Sequence, residues 1–143
     1  MKKFDFRLDK ILDYRQGCRK ISQEELVRRN NELFEIEQYI EALAKEQQRV
    51  ATSQEQYQLN IADLFLSSMY QEKLQKELVL QKELGKKVEA QVDLARENYI
   101  EKSKEVRVLE LLKDKKFDEH KIDLKRSERK RLDEIAHRQP RGV

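Results

Sequence analysis

Few residues in this chain have side chains that could do chemistry in combination: His120, His137, Cys18 and a crowd of carboxylates and cations. The two histidines are too far apart on a helix to share a metal ion without outside help, so both are expected to face solvent. Cys18 stands alone, which excludes an intrachain disulfide and suits a reducing compartment; at its apolar helical position a small buried hydrophobe is expected. The 28 Asp and Glu are interleaved with 31 Lys and Arg, the pattern of a solvated helix face rather than of an acid/base couple. No GxxxxGK loop, GxSxG elbow or CxxC pair occurs. The chain therefore reads as a non-enzyme with no catalytic residues, no metal and no cofactor.

Composition says what must position these groups. Of 143 residues 38% are apolar and 41% charged, with no Trp, three Gly and one Pro, which suits long helices and leaves too little for a thick core. MKKF resembles the basic start of a signal peptide, but Asp5, Arg7, Asp9, Lys10 and Asp13 interrupt any apolar run behind it. A cytoplasmic protein without a membrane span is expected.

Periodicity sets the fold class. Leu26, Leu33, Ile40, Gln47, Gln54 and Ile61 occupy one core position of a heptad, and Arg29, Ile36, Leu43, Val50, Tyr57 and Leu64 the other. Upstream, Leu8, Ile11, Cys18 and Ile21 keep three-and-four spacing with a change of phase near Leu26. A second seam places Leu74, Gln81, Val88, Ala95, Lys102 and Leu109 beside Leu78, Gly85, Val92, Tyr99 and Val106, and Phe117, Leu124, Leu132 and Ile135 prolong it. Neither helix could stand alone with seams so narrow. The expected architecture is all-α, one domain over residues 1–143: a long antiparallel two-helix coiled coil, or helical hairpin. A parallel homodimer satisfies the same pattern.

The turn is expected at about 53–60, between helices at about 4–52 and 61–137, with Asn60 as N-cap and Asp63 in the first turn. A rival lies at Ser67-Ser68, where Ser68 and Gln71 could form a capping box.

Two features exceed what a coiled coil needs. The first is KRSERKR at 125–131, five cations and one acid, which could contact phosphates but is more commonly a plain helix face. The second is LFLSSMYQEKLQKELVL at 64–80, whose apolar side chains cover more than one face and must in part stay exposed, as a docking patch or as packing at the hairpin end. Charge is also unevenly spread: residues 1–20 and 113–131 each carry a net +4, and the remainder −5. In an antiparallel hairpin the two basic ends meet, with Leu8, Ile11 and either Phe4 or Phe6 clamping the first helix near Phe117 to Ile135.

FDFRLDKILDYR at the start of the chain resembles the N-terminal pattern F-x-F-R-L-x-K-L-L-x-x-R of the flagellar export protein FliJ family. RSERKRLDEIAHR resembles that family's C-terminal basic helix ending in L-D-E-I-A, and length and helical organisation agree from end to end. The resemblance implies a non-enzymatic stalk of the flagellar type III export apparatus, similar to the gamma subunit of rotary ATP synthases. Its implied partners are the ring of the export ATPase FliI, the export-gate protein FlhA and export chaperones, at the cytoplasmic face of the membrane and attached to it only through those partners.

By the same resemblance, Arg7, Arg15, Arg126, Arg129, Arg131, Asp133 and Glu134 would face the ATPase. Tyr70, Leu74, Leu78 and Gln81, with Gln38 on the first helix, would face the gate. On that first helix the sequence departs from relatives that carry tyrosines where Lys45 to Arg49 stand. Read from the residues alone, a basic nucleic-acid-binding coiled coil, the less favoured partner class, and a general coiled-coil chaperone remain the alternatives.

Overall fold

A computed structural model describes residues 2–56 and 60–138 as two long helices packed as an all-α hairpin, with no strand among the described residues. Helix α1 spans Asp9–Gln56 and α2 spans Ile61–Arg138. Of the expected turn at about 53–60, residues 53–56 instead prolong α1, and residues 57–59 lie outside the described residues. Asn60 caps α2: its Oδ1 accepts the Asp63 N–H at 2.7 Å, its carbonyl accepts the Leu64 N–H at 3.0 Å, and Asp63 sits in the first turn where the helix dipole favours an acid. The rival turn at Ser67-Ser68 falls within α2, where Ser67 Oγ accepts from Gln54 Nε2. Ile61 and Leu64 therefore belong to α2 and are exposed, rather than prolonging the seam of α1.

Contacts divide the chain into two compact units, Met1–Lys20 with Glu101–Val143, and Ile21–Ile100. In the second unit the seam of α1 runs through Ser22, Leu26, Arg29, Leu33, Ile36, Ile40, Leu43, Gln47 and Val50, all buried or half-buried. Leu43 and Val50 pack with Leu74 and Leu78, and Ile40 lies against them. The polar seam positions find partners, which removes the cost of burying them: Gln47 Nε2 donates to Gln75 Oε1 at 2.9 Å, Gln71 Nε2 to Gln54 Oε1 at 3.4 Å, and Asn98 Nδ2 to Ser22 Oγ at 3.3 Å. Arg29, an apparent defect, is held by Glu25 and Glu32 of its own helix at 3.0 and 3.1 Å. At Gly85 a side chain is missing where α2 faces Ile36 and Ile40.

In the first unit the expected seam is corrected. Ile11 is exposed and Leu12 buried, and at the start of the second unit Ile21 is 68% exposed while Ser22 is 5% exposed. The heptad that reads Leu26 and Arg29 continues upstream as Ser22, Arg19, Arg15 and Leu12, with no change of phase. Following apolar residues alone selects the neighbouring stripe, because three of these four seam positions are polar. Cys18 flanks the seam and is half-buried. On α2, Val106 is fully buried, while Leu132 and Ile135 are exposed rather than clamped.

Helix α1 starts at Asp9 rather than near Phe4, and the Asp9 N–H donates to the Phe6 carbonyl at 3.1 Å. Residues 2–8 instead lay both phenylalanines on α2. Phe6 is 6% exposed, and the Phe4 ring meets Phe117 edge-on, with centroids 5.2 Å apart. Phe4 also lies 5.5 Å from His120, so that histidine is half-buried and does not face solvent as expected.

Candidate functional site

The C-terminal basic stretch stands on α2 beyond the reach of α1. Helix α1 begins level with Lys113, whose Nζ is 2.8 Å from Asp9 Oδ1. This contact, first through its hydrogen bond and then through the charges of Asp9, Asp13 and Asp114, raises the Lys113 pKa above the ordinary lysine value. Lys113 Nζ also lies 6.0 Å from the centroid of the Phe6 ring. Beyond it, among the described residues, only residues 2–8 accompany α2, forming with Leu112, Lys116, Glu119, His120 and Asp123 an open cleft of about 590 Å³. From Lys125 to Arg138 every side chain is exposed. Arg126, Arg129, Arg131, Asp133 and Glu134 are thus presented together on one helix end, and Arg7 is exposed on the N-terminal segment.

Arg15 is placed elsewhere. Its Nη1 donates to Glu105 Oε2 at 2.8 Å in the seam, on the order of 30 Å along α2 from Arg126 at 1.5 Å per residue.

The second residue set lies in the unit Ile21–Ile100. Leu74 and Leu78 are each 7% exposed and belong to the core cluster. Tyr70 is 41% exposed and Gln38 is exposed, whereas half-buried Gln81 donates to Glu77 Oε1 at 3.2 Å. The Tyr70 hydroxyl donates to Glu46 Oε1 at 3.0 Å. Arg49 Nη2 donates to the same oxygen at 2.6 Å, while Arg49 Nε reaches Oε2 at 3.0 Å. These bonds, the one from Arg49 first, hold the Glu46 carboxyl at a pKa of about 2, and the Tyr70 pKa is raised by the same contact. Around this set Phe65, Leu66, Met69, Val79 and Leu80 are exposed, as the crowding of apolar residues over 64–80 leads one to expect.

The heptad reading passes over Tyr39, Leu84 and Leu94, all exposed, because none occupies a seam position. For Leu94 the signal is a second spacing: Leu66, Leu80, Leu94, Val108 and Ile122 recur in alternate heptads of α2 at one and the same heptad position.

Among the described residues, no group of three or more His, Cys, Asp or Glu is placed to hold a metal ion, and no helix is long and apolar enough to cross a membrane. A family model for the flagellar FliJ protein matches residues 3–142. The chain belongs to the FliJ family. FliJ-family membership gives it a role in flagellar protein export as a structural component of the export apparatus. No curated protein and no solved structure matches the chain.

Proposed function

We propose that this FliJ-family chain is a coiled-coil stalk that couples the ring of the export ATPase FliI to the export-gate protein FlhA. The carrying observation is the stretch of α2 from Lys125 to Arg131, basic, exposed and without an accompanying helix. A cationic helix end steers an acidic partner into place without locking it, because exposed charges guide encounter more than they fix geometry. Arg7, Arg126, Arg129 and Arg131 would make these contacts, with Asp133 and Glu134 beside them. Arg15, already paired with Glu105, would contribute to the field rather than to contact.

At the other set, Tyr70 and Gln38 would meet the gate. Buried Leu74 and Leu78 would hold the helix face that presents them. Assistance to export chaperones, and a place at the inner face of the cell membrane through these partners, belong to the same reading. The exposed apolar residues of 64–80 favour a second reading, a holder of unfolded chains, in which unfolded clients would compete with FlhA.

Substitution of Arg126, Arg129 and Arg131 by Glu is expected to weaken binding to purified FliI by about tenfold or more, equivalent to about 1.4 kcal/mol, with helix content by circular dichroism unchanged. Unchanged affinity in calorimetry would overturn the assignment. Strong, salt-dependent retention of the unaltered chain on DNA would instead point to nucleic acid.

A further inference from the structure

Beyond Lys113, α2 runs on without α1 for about 25 residues, roughly 37 Å at 1.5 Å per residue. Most helical stability in proteins comes from packing rather than from propensity, so a helix end with no partner frays. From Asp114 to Arg138 only His120 and Leu124 are not exposed among the described residues. Both lie where residues 2–8 cross the helix. The Phe4 ring lies against Phe117 and His120, and Lys2 lines a cleft with His120, Leu124, Ser127 and Arg131.

The heptad explains why these residues leave the helix. With Leu12 and Leu26 at a positions, a helical continuation of α1 would put Asp5 at the next a position, in the seam, and Phe4 and Phe6 at g and b. Phe6 would then point away from α2. Off the helix, Phe4, Phe6 and Leu8 turn inward while Lys3, Asp5 and Arg7 stay exposed, and Phe6 is buried. The segment is therefore built to lie across α2 rather than to prolong α1.

We propose that residues 2–8 are a strap that keeps the basic end of α2 helical, with Phe4 and Phe6 as positioning residues for Arg126, Arg129 and Lys130. The inference rests on the reading that this end docks to the export ATPase, and it names what makes the end competent to dock. On an ordered helix Arg126, Arg129 and Lys130, three and four residues apart, share one face. On a frayed one they keep their charge but lose the shared face, and binding must then bear the cost of ordering it. The strap acts before the partner arrives and without touching it.

The experiment compares variants of the full chain by amide hydrogen exchange of the free protein and by calorimetric affinity for purified FliI. Phe4→Ala with Phe6→Ala is expected to accelerate exchange across residues 117–131 about tenfold or more and to weaken binding about tenfold, although no charge has changed. Exchange around Leu43 verifies that the rest of the hairpin stays folded. Phe4→Leu with Phe6→Leu keeps apolar side chains on α2 and should restore most of the protection and the affinity. Ser127→Ala, a helix-favouring change at an exposed site, should recover part of both when added to the alanine pair. Unchanged protection at 117–131 in the alanine pair would overturn the proposal. So would weakened binding with protection intact, which would make the two rings direct contacts, and so would lost protection with full affinity. The docking reading fails by a different result, an unchanged affinity when Arg126, Arg129 and Arg131 are replaced by Glu.

Discussion

Phe4 rests edge-on against Phe117, with ring centroids 5.2 Å apart and planes inclined at 65°. This contact and the burial of Phe6 explain why a highly charged chain places two of its five phenylalanines within its first six residues. They tie the segment before α1 to the flank of α2, close to the start of the exposed basic stretch.

Replacing these two rings should loosen that tie unequally. Phe6→Ala removes a buried aromatic, a loss of about 3 kcal/mol. Phe4→Ala removes a half-buried edge contact of about 1 kcal/mol. Amide hydrogen exchange should accelerate at Asp9 to Leu12 in both, more in Phe6→Ala, and stay unchanged around Leu43 and Leu78. Uniform acceleration across both helices would show that the segment stabilises far more than its own neighbourhood.

The glycines offer a paired test. Gly17 has nothing within 4 Å of the place a side chain would occupy, so Gly17→Ala should add only helix propensity, about 1 kcal/mol. At Gly85 the added methyl would sit 3.4 Å from Ile36 Cγ2 and 4.0 Å from Ile40 Cδ1, ordinary contact distances, and should add packing to the same propensity gain. Thermal denaturation should therefore rank Gly85→Ala above Gly17→Ala, and both above the unaltered chain. A fall for Gly85→Ala would mean that Ile36 cannot yield.

Acid should weaken the contact around Tyr70. The Glu46 carboxyl is held at about 2 against an ordinary value of 4.5. A depressed carboxyl contributes stability that is present above the ordinary value and is lost as pH falls toward the depressed one. The loss should run between about pH 4.5 and 2. Tyr70→Phe should shift the Glu46 titration upward in an NMR experiment but only in part, because the bonds from Arg49, the larger cause, remain. A carboxyl that does not move would mean that the tyrosine bond is absent in solution.

Ser103 Oγ is buried and has no hydrogen-bond partner. Ser103→Ala removes that unmet demand and improves helix propensity, so unfolding in urea should show a gain of about 1 kcal/mol. A loss would reveal a bound water or another partner at that hydroxyl.

Much of the fold was legible in residue order. Leu33, Ile36, Ile40 and Leu43, and Leu74 to Val106 on α2, recur with the heptad period, and a helix that buries one stripe needs no more than that to declare its inner face. Asn60 and Asp63 announced the start of α2 because capping chemistry is local. The N-terminal and C-terminal motifs pointed to the family for the same reason: they are short runs of types.

Tertiary structure decided the rest. Arg15, Arg19 and Ser22 continue the seam although their types argue against it, since a polar side chain can lie in a seam once a partner across it, such as Glu105 or Asn98, satisfies it. The neighbouring stripe of Ile11, Cys18 and Ile21 looks better by composition, and its two isoleucines are exposed. Whether Phe4 or Phe6 faces α2 could not be read from spacing, because residues 2–8 are not helical, and a segment without a period gives its side chains no fixed face. The structure turns both rings inward. Likewise Leu74 and Leu78, which the resemblance offered as contacts, are held in the core as their seam positions require, and Leu84 and Leu94 stay outside. A sequence period shows which residues share a face, but only the packed partner determines which face is covered.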